Sequence, residues 1–223
     1  MLRTVLTVAV IALAGITTAR AQSYDQLSSW CYGESTDDQT IQGCDAVIAS
    51  GRVQGNDLAA AYGARAYAYN RKGDYARAII DHDIAIRMNP NDAMLWNNRG
   101  WTYNNLRQYD RALQDLDRAI SLNARLAEGY NNRGVSYNGM RQYDRAIQEY
   151  DEAIRLRPGY PVAMRNRDLA VRNRDQFGGG GGVTTAPPPP PPPGPAAAGN
   201  SNGGPASSGT NLLKERLGEI APR

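Results

Sequence analysis

The chain has 223 residues, with 25 Lys and Arg against 22 Asp and Glu for a formal charge of +3, one His and two Cys. So small a positive excess gives no compositional case for nucleic acid as a partner. Two Cys and a single His are too few ligands for a zinc-type metal site.

Met1 to Ala21 carries one early charge, Arg3, then an apolar run from Val5 to Ile16 broken only by Thr7, then Ala19-Arg20-Ala21. This is the pattern of an export signal with a small-x-small cleavage site, and it predicts a cut between Ala21 and Gln22 and a periplasmic or secreted mature protein. The apolar run falls short of the roughly 20 residues that span a bilayer, so no transmembrane segment is expected after cleavage. Removing Arg3 and Arg20 takes the formal charge from +3 to +1.

Residues 22–58 hold both cysteines. In the 34-residue frame of the repeats that follow, residues 25–58 form one degenerate block. Leu27 and Trp30 mark a short first helix, and Ile41, Val47 and Ile48 mark a second. Cys31 and Cys44 fall at positions 7 and 20, close to where the two helices of a repeat approach most nearly. An oxidising compartment favours a Cys31–Cys44 disulfide stapling this block. The competing readings are a free thiol pair and a metal site, the latter short of ligands.

Residues 59–92, 93–126 and 127–160 are one 34-residue unit written three times without insertion or deletion. Such a period predicts a stacked solenoid. The fourth residue is aromatic (Tyr62, Trp96, Tyr130), the eighth small (Ala66, Gly100, Gly134) and the eleventh Tyr (Tyr69, Tyr103, Tyr137), all on one helical face. After a break at residue 14 or 15, a second helix places Ala at positions 20 (Ala78, Ala112, Ala146) and 27 (Ala85, Ala119, Ala153). Small residues permit close approach, so each unit is expected to be a helical hairpin and the fold class all-α.

In order and spacing these residues resemble the tetratricopeptide repeat family. The departures are His82 and Leu116 at position 24, where Tyr150 fits better, and Ala124 where Pro90 and Pro158 close the other repeats. The resemblance implies a right-handed superhelix of antiparallel helix pairs that binds proteins or peptides. The Asn-Asn-Arg-Gly wording at Asn97 to Gly100 and Asn131 to Gly134 is also similar to exported bacterial proteins of this type.

Arg stands at position 7 of every repeat (Arg65, Arg99, Arg133), beside the buried face, where a charge needs a partner. Folding the hairpin about residue 15 brings position 7 level with position 23, which reads Asp81, Asp115 and Glu149. Three internal ion pairs are expected, with a structural role.

Residues 161–177 continue the frame for one helix. Asp168 at the small position would prevent another helix from packing, so this is read as a polar cap for the open end. Residues 178–210, with Gly178 to Gly182 and seven prolines from Pro187 to Pro193, read as a disordered linker with a stiff extended stretch. In residues 211–223, Leu213, Leu217 and Ile220 share one helical face, which fits either a short partner-binding helix or an unstructured tail.

The sequence contains no catalytic constellation. His82 sits at a core position, the carboxylates recur at the repeat period, and Gly178 to Gly182 lacks the Lys-Ser/Thr and the strand-helix setting of a phosphate loop. No enzyme activity and no cofactor are expected. The resemblance implies a concave face built by positions 2, 5, 9, 12 and 13. On it the sequence places Tyr67 and Trp101 as anchors, with Asn70, Asn97, Asn98, Asn104, Asn131, Asn132 and Asn138 holding a peptide backbone through amides that both donate and accept. Asn98 and Asn132 are similar to the asparagine ladder of the repeat-bearing transferase that adds N-acetylglucosamine to proteins, although Ala64 breaks the series. Positions that clamp a C-terminal carboxylate in some family members read Gly63, Tyr67, Glu128 and Asn132 here, and only Asn98 fits, so an acidic peptide end is a poor match. The expected function is an exported scaffold holding a polypeptide segment. The alternatives are an envelope tether acting through the proline-rich tail and a carbohydrate-binding module.

Overall fold

A computed structural model describes residues 22–177. The expected signal segment, the Gly/Pro-rich segment 178–210 and residues 211–223 lie outside the described residues. Those described form nine helices: α1 (Tyr24–Tyr32), α2 (Asp37–Ser50), α3 (Gly55–Arg71), α4 (Tyr75–Met88), α5 (Ala93–Asn105), α6 (Tyr109–Leu122), α7 (Ala127–Gly139), α8 (Tyr143–Leu156) and α9 (Pro161–Phe177). Each packs on the next, and α5 also touches α3 and α7 while α7 touches α9. The odd-numbered helices from α3 onward thus form one layer and the even-numbered helices the other, as stacked hairpins require. Among the described residues no helix is long and apolar enough to cross a membrane.

Volume matching at one contact closes each hairpin. A Cβ added at Gly100 would lie 2.8 Å from Leu116 Cγ, and one at Gly134 would lie 2.6 Å from Tyr150 Cε1. The side chain at position 24 therefore fills the space that position 8 leaves empty, and Leu116 and Tyr150 are fully buried there. In the first repeat Ala66 stands at position 8 and His82 at position 24, both fully buried, and neither His82 ring nitrogen has a hydrogen-bond partner. Burial, with the positive Arg99 nearby, lowers its pKa to about 3, so the imidazole is neutral. The alanines at positions 20 and 27 are all fully buried, which lets the backbones approach.

The turn inside each hairpin needs a left-handed residue. Gly73 supplies it in the first repeat with φ 78°, but Arg107 and Arg141 adopt it at 57° and 60°. Asp74 caps α4 by accepting from the Arg77 amide, Asp92 caps α5 by accepting from Met94, and Thr36 and Gln39 form a reciprocal capping box on α2. One boundary differs from the sequence reading: α3 begins at Gly55, a turn before the repeat starts at Ala59. Residues 55–58 hold no helix breaker of the kind that Pro90 provides before α5.

Candidate binding groove

The guanidinium of each position-7 arginine stands between two carboxylates. Arg65 donates through Nε and Nη2 to the two oxygens of Asp81 at 2.7 and 2.8 Å, and through Nη1 to Asp45 at 2.6 Å. Arg99 repeats this with Asp115 at 2.7 Å through both donors and with Asp83 at 2.7 Å. In the third repeat Arg133 Nη2 lies 2.9 Å from Glu149 Oε2 and Nη1 donates to Asp117 at 2.8 Å, but Nε is left without a partner. The extra methylene of glutamate displaces the carboxylate from the two-pronged position that aspartate takes. Asp81, Asp115 and Glu149 are buried. Burial alone would lower the Arg99 pKa, yet its bonds to Asp115 and Asp83 hold it above the ordinary value. The second carboxylates were missed in the sequence, although Asp83 and Asp117 recur at position 25. The same arginines stack on the aromatic residues at position 4, within 5.0 to 5.4 Å of the Tyr62, Trp96 and Tyr130 ring centres.

Most of the asparagines assigned to the groove stand elsewhere, in the seam between successive repeats. Asn70, Asn97, Asn104 and Asn131 are buried. Asn166 Nδ2 donates to Asn131 Oδ1, Asn131 to Asn132, Asn132 to Asn97 and Asn97 to Asn98, a directed chain of amides running from α9 to α5. A second set joins the later turns of α3, α5, α7 and α9. Asn105 donates to Asn70, Asn70 to Thr102, Ser136 to Asn104, Asn104 to the carbonyl of Asn132, and Asn173 to Asn138. The correction has a steric cause: the neighbouring first helix lies across positions 5, 6, 12 and 13, so these amides meet each other before they meet a ligand. Thr102, Ser136, Asn166 and Asn173 belong to this network and were overlooked. Only the continuation of position 6 from Asn132 into the capping helix at Asn166 hints at it in the sequence.

Three groups remain open on the concave face. Tyr67 is 43% exposed and packs against the partly exposed Trp101 with ring centres 5.4 Å apart and planes tilted by 38°. Met94 lies exposed two turns before Trp101 on α5. Asn98 accepts from Asn97, but its own Nδ2 has no partner among the described residues. Gly63 stands at the position from which Asn97 and Asn131 accept the equivalent donor in the later repeats. Asn138 is half-buried and already bonded, and Asn132 has both ends of its amide engaged. Cys31 and Cys44 form a buried disulfide with Cα atoms 4.6 Å apart, away from this face.

Family models described as tetratricopeptide repeat match residues 59–92, 84–114 and 127–160. A search of curated protein sequences finds no match. Among solved structures, the first tetratricopeptide domain of human RPAP3 is similar with TM-score 0.54 at 20% identity, covering 57% of this chain and 100% of that one. The Arabidopsis OM64 domain gives 0.50 at 18%, covering 53% and 98%. The first tetratricopeptide domain of Spaghetti (RPAP3), solved with the HSP90 peptide SRMEEVD, gives 0.50 at 21%, covering 52% and 93%. At these identities the likeness is one of fold. With three matched repeats and the stacked hairpins they predict, this chain belongs to the tetratricopeptide repeat family.

Proposed function

We propose that the protein is an exported, non-enzymatic interaction scaffold that holds an extended polypeptide segment on its concave face. The observation that carries this reading is the Tyr67–Trp101 pair, open to solvent in part, with the unpaired Nδ2 of Asn98 one turn before Trp101 on the same helix. Large aromatic surface left open next to a free donor suits a peptide whose apolar side chain packs on the rings while a backbone carbonyl accepts from Asn98. The solved relative with a bound peptide supports a peptide as ligand class, but its acidic peptide is a poor guide here. Gly63 and Tyr67 provide no cation, and Glu128 is already paired with Arg157. Export is supported by the Met1 to Ala21 pattern and by a disulfide that an oxidising compartment would maintain.

The test is to select peptides from an extended-peptide library on the mature chain and to titrate the best binder against variants. Trp101→Ala is expected to weaken it by about 2 kcal/mol, the loss of an anchor. Asn98→Ala should cost about 1 kcal/mol, one neutral hydrogen bond. Gly63→Asn, whose Cβ meets only the movable Leu95 Cδ2, should close the amide chain and weaken binding as Asn98→Ala does. Affinity unchanged in all three, with helicity intact, would move the binding surface off this face.

A further inference from the structure

The concave face does not end with the third repeat. α9 stacks on α7 in the register by which α7 stacks on α5, since Asn166 to Asn131 and Asn173 to Asn138 span the same 35 residues as Asn132 to Asn97. Val162, Arg165, Leu169 and Arg172 on α9 therefore continue the frame positions of Met94, Asn97, Trp101 and Asn104 on α5. Val162 is 41% and Leu169 43% exposed, and both arginines are exposed. The intervening Arg167 and Arg174 are tied to Asp151, Asp168, Asp144 and Asp175. Arg165 and Arg172, by contrast, enter no ion pair among the described residues. Along about 15 Å of helix the strip reads apolar, cationic, apolar, cationic.

Residues 211–223 carry the complementary pattern. In an extended chain alternate side chains share one side, and that side reads Leu213, Glu215, Leu217, Glu219: apolar, anionic, apolar, anionic. Lys214 and Arg216 fall on the other side. Leu213 to Leu217 and Glu215 to Glu219 each span about 13 Å when extended, against about 10 Å from Val162 to Leu169 and from Arg165 to Arg172. Long Arg and Glu side chains absorb that difference. Residues 178–210 reach at most roughly 110 Å, ample for a return to α9, and tethering sets the effective concentration on the order of millimolar.

We propose that residues 211–223 fold back as an extended segment onto α9, along the edge where the concave face meets the open end of the array. Leu213 and Leu217 cover Val162 and Leu169, and Glu215 and Glu219 pair with Arg165 and Arg172. The segment then occupies part of the face from within the chain and leaves the Tyr67–Trp101 end for another polypeptide. The contact goes beyond the proposed peptide binding and needs no partner to be observed.

Methyl NMR of the full chain tests it. Leu213→Ser with Leu217→Ser, and separately Glu215→Arg with Glu219→Arg, are expected to move the Val162 and Leu169 methyl signals to a common new position, with Val47 and Ile120 unmoved. Signals identical to the parent in both variants overturn the proposal while leaving the groove reading standing. Parent signals that approach the variants' position on tenfold dilution also overturn it, assigning the contact to a second copy of the chain.

Discussion

Arg99 holds two carboxylates of different exposure, and the two should therefore differ in worth. Asp115 is buried and receives a two-pronged pair of bonds, whereas the Asp83 side chain is 38% exposed. Arg99→Ala strands the buried charge and is expected to cost about 3 kcal/mol. Asp83→Ala should cost less than about 1 kcal/mol. Urea titration of the two variants checks the contrast, and equal losses would contradict it. His82 is the other residue whose environment sets a measurable quantity. Its folded pKa of about 3 lies below the ordinary 6.5, so the unfolded chain binds the extra proton. Stability from this group is complete above about pH 6.5 and declines as pH falls toward 3, by about 2 kcal/mol at pH 5. Leu116 faces Gly100 in the next repeat, and a Cβ at Gly100 would lie 2.8 Å from its Cγ, so His82→Leu is made together with Ala66→Gly to reproduce that contact. The variant should lose less stability than the parent between pH 7 and pH 5, and a parallel decline would show that the ring is reached by water.

Helix pairs were legible because their signals are local: the period, the small residue at position 8 and the alanines at positions 20 and 27 all act within one hairpin. The ion pairs were legible for the same reason, as positions 7 and 23 meet by folding one unit. The asparagines were misread because their partners lie 35 residues away on a neighbouring helix, and their facing depends on how repeats stack. A seam built from amides makes distinct predictions for residues that look alike in the sequence. Asn132→Ala would leave Asn97 Oδ1 and Asn131 Nδ2 unpaired in a buried seam and should cost about 1–3 kcal/mol. Asn98→Ala removes only the open end of the chain and should cost less. Thermal melts of the two variants separate a seam from a solvated row. The turns offer a third comparison, since Arg107 adopts φ 57° where the first repeat uses Gly73. Arg107→Gly should gain up to about 1 kcal/mol, and Gly73→Ala should lose about as much.

A solenoid is held by nearest neighbours, so its weakest unit can open without the rest. The weakest unit here is the first, in which α1 has nine residues against 13 to 17 in the other odd-numbered helices. Two sets of bonds retain it. Within the unit, the Cys31–Cys44 disulfide joins α1 to α2 at the cluster formed with Val47 and Ala61. Between units, Asp37 and Asp45 of α2 pair with Arg71 and Arg65 of α3, and Asp38 pairs with Lys72 at the C-cap of α3. None of these pairs touches α1, which besides the disulfide is tied to α3 by the bond that Tyr32 Oη donates to the Asp57 carbonyl at 3.1 Å. Beside one such neutral bond of about 1 kcal/mol, the covalent bond carries most of the burden for α1. Closing a loop of 13 residues stabilises by roughly 3 kcal/mol in the chain-entropy model, of the same order as the free energy by which so short a helix stays docked. Replacing both cysteines with serine should therefore release α1 selectively. Amide exchange in residues 24–32 is expected to accelerate by about a hundredfold, the equivalent of that 3 kcal/mol. Residues 93–160 should keep the parent's rates, because their contacts run only to adjacent repeats. Uniform acceleration along the whole array would mean that the disulfide supports a single cooperative unit, and that the amide seams couple the repeats more tightly than nearest-neighbour stacking allows.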